Sequence, residues 1–357
     1  MLVCVVDDCT PKGYGDSERI FEKIAALSAL VVVIRTPFNT LKAGALNWAL
    51  QYIEKNVQNV ETLEVVITLD DDVSIERDTI KNLVVELMSH PRLGAACSEC
   101  AVFNKNKNIL TRLQGLEYVG FNAIRLSDEG FVGGPLVMHG MLTAFRASAL
   151  REAGPFAQGH LIEDYEMTTR LKAGGWSVKT VIGARASTVV PERLSTLWRQ
   201  RTRWSYGGIT VVMKARDPSS VLQDLIGHGI FIATIVMIGI LIFSSGDSSV
   251  PRGIVYSITI ISFLQFIVWY VFQLWLMGQY KEKDWKDWLL RLSLVPEFMY
   301  SYGTTLALVG SYLFFFFTLL KRTVTKRSMR ATQYLALLGS RVFRACGYTE
   351  GWGTRLQ

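Results

Sequence analysis

The sequence predicts an α/β domain with a mostly parallel, doubly wound sheet, followed by a helical region that crosses a membrane. Strand-like and helix-like stretches alternate over residues 1–215, which is typical of a parallel sheet covered by helices. Half of the 357 residues are hydrophobic (50%), and the apolar excess lies after residue 224. We therefore expect an α/β domain at residues 1–215, transmembrane and interfacial helices at 216–330, and a tail at 331–357.

The charge pattern narrows the class of partner. The formal net charge is +7, and much of the basic excess lies at residues 193–203 and 321–330. Because both basic clusters flank apolar segments, we expect them to meet membrane lipid headgroups and phosphorylated ligands, and we expect no nucleic acid partner.

The cysteines indicate a reducing compartment. There are five, an odd number, and they are scattered along the chain. Cys97 and Cys100 fall in a predicted strand, where residues three apart point to opposite faces. We therefore expect reduced thiols facing a cytosol, without a zinc site or a disulfide.

Hydrophobic patterning places the elements of the α/β part in order. Strands are predicted over residues 2–6, 30–35, 65–69, 93–103 and 137–146. Helices are predicted over residues 17–27, 42–54, 77–89 and 111–126, and from residue 163 to the glycine pair at 174–175. A polar turn separates the fourth strand from the fourth helix.

The strand over residues 65–69 runs straight into Asp70, Asp71 and Asp72. In an extended chain Asp70 and Asp72 share a face, because alternate side chains point the same way. Two carboxylates in this arrangement suit Mg²⁺ or Mn²⁺, with substrate phosphates and water filling the other positions. The alternative is an acidic first turn of the helix that follows.

Two further candidate ligand-binding features lie before Asp70 in the sequence. The first strand ends in Asp7 and Asp8, whose natural ligand at a sheet edge is a ribose or a base. Lys42 and Gly44 open a helix, where a lysine and free backbone N–H groups can meet phosphate. A solvated lysine on a surface helix is the alternative reading.

Two more pairs of candidate site residues lie after Asp72 in the sequence. His139 and Gly140 interrupt the strand over residues 137–146, so that His139 either faces an acceptor or fills a turn. Glu163 and Asp164 begin a helix, where the helix dipole favours ionised carboxylates. Such a carboxylate is either a general base or a charge that stabilises the helix end.

The last candidate group lies after Pro191. On a helix Gln200, Arg203 and Trp204 are at positions i, i+3 and i+4 and share a face. An indole beside a guanidinium suits a sugar face next to a diphosphate. The alternative is an interfacial belt of Arg and Trp at a membrane surface.

Together these motifs, in this order and followed by apolar helices, resemble the processive family-2 glycosyltransferases, the synthases of cellulose, chitin, hyaluronan and poly-N-acetylglucosamine. The resemblance covers residues 1–215 in detail and the rest in architecture. The stretches at residues 139–146 and 171–176 look closest to bacterial poly-N-acetylglucosamine synthases. The resemblance implies a GT-A-type domain, and helices that form a channel for the polymer.

The resemblance also implies roles for the matching residues. Asp8 would contact the uridine with Asp7 beside it, Lys42 would approach the diphosphate, Asp70 would contact the nucleotide, and Asp72 would hold the metal with Asp70. Asp164 would deprotonate the acceptor hydroxyl. The acceptor sugar and the diphosphate would be held by Gln200, Arg203 and Trp204, with His139 and Gly140 near the acceptor.

Two departures from the family pattern stand out. Ile162 replaces the threonine that usually precedes Glu-Asp, so a hydroxyl contact is lost. The family's first strand, with its Pro-x-Tyr/Phe-Asn-Glu-like loop, has no counterpart, and the chain starts at what should be the second strand. We expect this to leave unpaired backbone groups in the sheet unless another segment fills the gap.

The apolar region predicts three spans. Residues 225–243 and 254–277 are each long enough to cross the hydrocarbon. Residues 281–291 are charged and rich in Trp, which indicates an interfacial helix. Residues 292–320 contain Pro296 and Glu297 and form either one span or a re-entrant piece and a span. Three spans with a cytosolic catalytic domain would leave the basic residues 321–330 outside, against the positive-inside tendency.

The resemblance thus implies an integral protein of the cell membrane, with a cytosolic catalytic domain, that extends a β-linked polysaccharide. The donor would be a UDP-sugar, UDP-N-acetylglucosamine or UDP-glucose, and the acceptor the growing polysaccharide or a lipid-linked one. Two alternatives remain open. Transfer of a single sugar to a lipid would give a product of fixed length, and an inactive homologue with a scaffold role would release no UDP.

Overall fold

The computed structural model describes residues 2–10, 17–57, 60–128, 133–214, 221–222, 236–237, 239–240, 243, 252–325 and 330–348. The strands are β1 (Val3–Asp7), β2 (Val31–Arg35), β3 (Val65–Leu69), β4 (Val73–Ile75), β5 (Leu93–Val102), β6 (Leu142–Arg146) and β7 (Ser177–Thr188). The helices of the α/β part are α1 (Ser17–Ala25), α2 (Leu41–Asn56), α3 (Thr79–Ser89), α4 (Ile109–Ser127), α5 (Ala147–Ala153), α6 (Glu163–Ala173) and α7 (Leu194–Val212). They are followed by α8 (Arg252–Gln279), α9 (Trp285–Ser293), α10 (Val295–Thr325) and α11 (Arg330–Ala345).

The described strands form two sheets. Five of them lie in the order β3-β6-β5-β7-β4, while β1 and β2 pair in parallel as a separate two-stranded sheet. The α/β architecture expected from the sequence is present, but the larger sheet is mixed rather than mostly parallel. Among the described neighbouring pairs of this sheet, β5 with β7 is the parallel one, and β6 is antiparallel to both of its neighbours.

The antiparallel course of β6 has a physical cause that matters for the site. Leu69, the last residue of β3, pairs with Leu142, the first residue of β6. The backbone N–H of Asp70 also donates to the carbonyl of Met141 at 3.0 Å. The segment before β6 therefore arrives at the acidic end of β3, and β6 must run back along it.

Several predicted elements differ in extent. The strand predicted over residues 137–146 begins only at Leu142, because the chain before it turns through Gly140. Strand β7 was not predicted, since Lys179, Gly183 and Arg185 interrupt its apolar pattern. Gly183 has a φ of +81° and lies in an irregularity where the pairing of β5 with β7 shifts register.

The core lies on both faces of the larger sheet. One cluster includes Ala43 of α2, Phe145 of β6 and Met167 of α6. On the other face Leu83 and Leu87 of α3 are fully buried against the sheet. Burial of a side chain of this size contributes about 1.5–3 kcal/mol, so these helices hold the strand ends that carry the candidate site.

Two described helices are long and apolar enough to cross a membrane, over Arg252–Gln279 and Val295–Lys321. The first coincides with the span predicted at residues 254–277. The span predicted at 225–243 lies largely outside the described residues. Helix α10 is continuous, so the alternative with a re-entrant piece is wrong; Pro296 stands in its first turn, where a proline needs no hydrogen-bonding partner for its nitrogen.

A buried ion cluster joins the α/β part to the helices that follow. The ammonium of Lys105 lies 2.8 Å from Asp287, and Arg112 contacts both Asp284 and Asp287. Asp284 and Asp287 also form a capping box at the start of α9. Most of the predicted tail is helix α11 and packs back on the protein, since Trp198 donates to the carbonyl of Cys346 at 2.8 Å.

Candidate functional site

Lys42 brings together three segments that are far apart in sequence. Its ammonium lies 2.6 Å from Oδ1 of Asp70 at the end of β3 and 3.1 Å from Oε1 of Glu163 at the start of α6. It also donates to the carbonyl of Gly140 at 2.9 Å. Helix α2, strand β3, the turn before β6 and helix α6 therefore meet at one point.

Asp164 lies on the other side of the Gly140 peptide. Its Oδ2 accepts the N–H of Gly140 at 2.7 Å and its Oδ1 accepts the N–H of Tyr165 at 2.8 Å. A Cβ on residue 140 would lie 2.5 Å from the Lys42 ammonium and 3.1 Å from Oδ2 of Asp164. Any side chain here would therefore displace the Lys42 ammonium from its present contacts.

Burial sets the protonation behaviour of this group. It raises the pKa of Asp164 to about 6, and the neighbouring charge of Glu163 adds to the rise. Burial also raises the pKa of Asp70 to about 6, although Lys42 opposes the shift. Burial alone would lower the pKa of Lys42, but Glu163, Asp70 and Asp164 outweigh it and the pKa is raised. Lys42 is therefore a cation beside two carboxyl groups, Asp70 and Asp164, whose pKa values lie above their usual range.

Asp72 lies on the same acidic edge as Asp70. Its Oδ2 accepts a hydrogen bond from the Thr188 hydroxyl at 3.2 Å. Among the described residues, no group of three or more His, Cys, Asp and Glu side chains is arranged to hold a metal ion. An ion at this edge would have Asp70 and Asp72 as protein ligands and would need further oxygens from a ligand or water.

The structure gives Asp8 a clear local role. Its Oδ1 accepts from the backbone N–H of Thr40 at 2.8 Å and from the hydroxyls of Thr40 and Thr36, and its Oδ2 accepts from the N–H of Leu41 at 3.0 Å. Asp8 therefore accepts the backbone N–H groups at the start of α2. These hydrogen bonds stabilise the unusual φ of +59° at Leu41, the residue that precedes Lys42. Asp7 is buried, and its Oδ1 accepts the N–H of Thr10 at 2.9 Å.

His139 lies against strand β5, outside the lining of the small pocket beside Asp164. Its ring is buried, with Nε2 against the carbonyl of Ser98, and Nδ1 has no partner in the part of the chain described. Burial, with the charge of Arg125, lowers the pKa of His139 to about 3, so the ring is neutral. Met138 and Gly140 line the small pocket beside Asp164, whereas His139 does not.

Helix α7 carries the remaining candidates to the start of α6. Arg203 is exposed and donates to the carbonyl of Leu161 at 3.1 Å. A Cβ on Gly207 would lie 2.5 Å from a side-chain carbon of Ile162, so glycine allows this close approach of the two elements. Ile162 thus packs against α7 where the family usually has a threonine. Gln200 and Trp204 lie on α7, both partly buried.

Sequence reasoning missed Arg201. It is 6% exposed and bonds to Glu117 of α4, to the Tyr300 hydroxyl of α10 at 3.1 Å, and to Oε1 of Gln200 at 2.7 Å. Its guanidinium lies 4.3 Å from the centre of the Trp204 ring. The available signal was its position one turn after buried Leu197, on the inward side of the helix.

Comparison with known sequences gives a family match over residues 65–338, to the model described as glycosyl transferase family group 2. A poly-beta-1,6-N-acetyl-D-glucosamine synthase of Staphylococcus epidermidis is 27% identical over 187 residues, which cover 52% of this chain and 43% of the relative. The synthase of the same name from Staphylococcus aureus strain COL is 27% identical over 176 residues, or 49% and 40% of the two chains. The chain thus matches less than half the length of these relatives.

Among solved structures, a mannosyltransferase from Pyrobaculum calidifontis, in complex with GDP-Man and Mn²⁺, superposes with a TM-score of 0.54. The superposition covers 82% of this chain and 77% of that one, at 20% sequence identity. At this identity the likeness shows the fold alone. It agrees with the fold class expected from the sequence.

Proposed function

The chain belongs to glycosyl transferase family group 2, and from this premise we propose that it is a membrane-embedded, inverting glycosyltransferase that extends a β-linked polysaccharide from a UDP-sugar. UDP-N-acetylglucosamine is the preferred donor in this proposal, because the curated relatives are poly-N-acetylglucosamine synthases, and UDP-glucose is the second choice.

The convergence on Lys42 and Gly140 carries the proposal. Lys42 contacts Asp70 and Glu163, while the two polar groups of the Gly140 backbone contact Lys42 and Asp164. Lys42 thus lies beside Asp70 on the proposed nucleotide side, and the Gly140 backbone connects it to the proposed base Asp164. The sugar must lie between a diphosphate and a proton acceptor.

The acidic edge fits a divalent cation. Asp70 and Asp72 are hard oxygen ligands that would hold Mg²⁺ or Mn²⁺, and diphosphate oxygens and water would complete the coordination. Thr188 would fix the orientation of Asp72. When bound, the ion offsets the negative charge that develops on the departing UDP.

Asp164 is the proposed general base. Its carboxylate removes the proton from the acceptor hydroxyl while the hydroxyl oxygen bonds to the anomeric carbon and the bond from that carbon to the diphosphate breaks. The acceptor oxygen attacks on the face opposite the diphosphate, so the anomeric configuration inverts. The proton ends on Asp164 and the electron pair of the broken bond leaves with UDP. A general base of this kind contributes about 10²–10⁴-fold in rate.

The remaining residues bind substrate in this proposal. Arg203 is exposed and uses one nitrogen on the carbonyl of Leu161, so its remaining N–H groups would bind the diphosphate. Trp204 and Gln200 hold the acceptor sugar. Asp8 fixes the start of α2 and so supports Lys42, and Asp7 contributes to the nucleotide side of the site.

The membrane part of the proposal depends on α8 and α10. Both are long and apolar enough to span a bilayer, and the buried cluster of Lys105, Arg112, Asp284 and Asp287 fixes the α/β domain to the segment between them. The α/β domain would lie in the cytosol, where UDP-sugars are found.

A donor panel with detergent-purified protein tests the function. UDP-N-acetylglucosamine, UDP-glucose and GDP-mannose are each supplied with Mg²⁺ or Mn²⁺, and nucleotide release and product length are measured. We expect UDP release with UDP-N-acetylglucosamine and a product that lengthens with time. A product of one added sugar would indicate the lipid-transfer alternative, and no nucleotide release from any donor would contradict the enzyme assignment.

A further inference from the structure

Arg201 is a buried cation between two residues that the proposed function assigns to the acceptor. It lies on α7 between Gln200 and Trp204, and it is 6% exposed whereas its neighbour Arg203 is exposed. One nitrogen donates to Gln200 at 2.7 Å, and the central carbon of the guanidinium lies over the Trp204 ring, 4.3 Å from its centre. Arg201 therefore supports both side chains from the protein side.

Arg201 is itself held by two other helices. It forms an ion pair with Glu117 of α4 and donates to the hydroxyl of Tyr300 at 3.1 Å. That hydroxyl in turn donates to Oε2 of Glu117 at 2.7 Å. The three side chains thus contact one another in a closed triangle, and Tyr300 belongs to a helix that could cross the membrane.

This arrangement limits the freedom of Trp204. A guanidinium stacked over an indole is attracted by the ring face and occupies it. The other face is then the one available to a sugar. Because Arg201 is tied to Glu117 and Tyr300, the plane of the indole depends on where α10 and α4 lie relative to α7.

We propose that Glu117 and Tyr300 act through Arg201 as positioning residues for the acceptor subsite, so that helix α10 sets the orientation of Trp204 and Gln200. The inference rests on the proposed function, in which these two residues hold the acceptor sugar. The donor side of the site, at Lys42 and Asp70, has no contact with the triangle among those found in the structure, so donor binding is independent of it.

The test compares Tyr300→Phe with Tyr302→Phe. The first removes one hydroxyl from the triangle, and the second removes the hydroxyl of an exposed tyrosine on the same helix. Initial rates are measured with UDP-N-acetylglucosamine and a β-1,6-linked N-acetylglucosamine tetrasaccharide, varying each in turn. We expect Tyr300→Phe to raise the KM for the tetrasaccharide about fivefold and to change the KM for the donor less than twofold. Tyr302→Phe is expected to change neither.

Two further variants keep the test decisive. Arg201→Lys retains the charge beside Glu117 but loses the planar stack on Trp204, and it is expected to raise the same KM by about tenfold. Glu117→Gln is expected to act in the same direction. An unchanged KM for the tetrasaccharide in both Tyr300→Phe and Arg201→Lys, whether or not kcat falls, would overturn the inference. If the wild-type protein transfers no sugar at all, the proposed function fails first, which is a different outcome.

Discussion

The carbonyl of Gly140 accepts a hydrogen bond from Lys42 at 2.9 Å, on the peptide that precedes the β6 strand. The N–H of Gly140 donates to Asp164. Gly140, which has no side chain, thus lies between Asp164, the proposed base, and Lys42, the cation that contacts Asp70.

Gly140→Ala is expected to lower kcat at least tenfold, because its Cβ would lie 2.5 Å from the Lys42 ammonium and displace it from Asp70. Gly120→Ala on α4 is the matched control, since nothing lies within 4 Å of a Cβ there. The control is expected to keep full activity and to gain about 0.5–1 kcal/mol of stability from helix propensity. Equal activity of the two variants would show that the close approach at Gly140 has no role.

Lys42→Met removes the cation that faces Asp70 and Asp164. Since Lys42 lowers the pKa of both carboxyls, its loss is expected to raise both and to shift the acid limb of the rate profile to higher pH. The KM for the UDP-sugar is also expected to rise. Rates measured from pH 5 to pH 9 test this, and an unshifted acid limb would contradict the assigned contact.

The wild-type protein is expected to lose activity as the pH falls through about 6. Asp164 must be ionised to accept a proton, and its pKa is raised to about 6 by burial. Above this pH the base is charged and active, and below it the base is protonated. The measurement is kcat/KM against pH with a saturating metal concentration. A rate that stays constant down to pH 5 would exclude Asp164 as the group that titrates.

Chelation by EDTA is expected to abolish activity, and Mg²⁺ or Mn²⁺ is expected to restore it. Asp72→Asn should be nearly inactive at any metal concentration while still folding. Thr188→Val should need more metal for half-maximal activity, because Asp72 loses its hydroxyl partner. Full activity in EDTA would show that the reaction does not need a metal ion.

Much of the fold and the site could be predicted from local patterns. The strand before Asp70, the helix that begins at Glu163 and the face shared by Gln200, Arg203 and Trp204 each follow from periodicity within a few residues. Strand β7 could not be found this way, because charged residues and Gly183 interrupt its pattern and its burial comes from the pairing with β5.

Long-range contacts account for the rest of the difference. The spacing of residues in the sequence does not predict the contact between Lys42 and Glu163. That contact depends on the tertiary fold, in which β6 is antiparallel to β3. The inward orientation of Arg201 likewise depends on Glu117 and Tyr300, which lie on helices far away in sequence. Of the two alternatives for residues 292–320, the one with a re-entrant piece is wrong because a proline in the first turn does not break a helix.

The most direct test of the account is Asp164→Asn, assayed for both turnover and donor binding. Asp164 is proposed to act only on the acceptor proton, so kcat is expected to fall about 10²–10⁴-fold. The Kd for UDP-N-acetylglucosamine, measured by calorimetry with metal present, is expected to change less than twofold. The melting temperature of the variant is measured beside the wild type, because Asn removes a charge but can accept only one of the two backbone N–H groups that Asp164 accepts. Wild-type turnover by Asp164→Asn would contradict the account and make Glu163 the next candidate for the base.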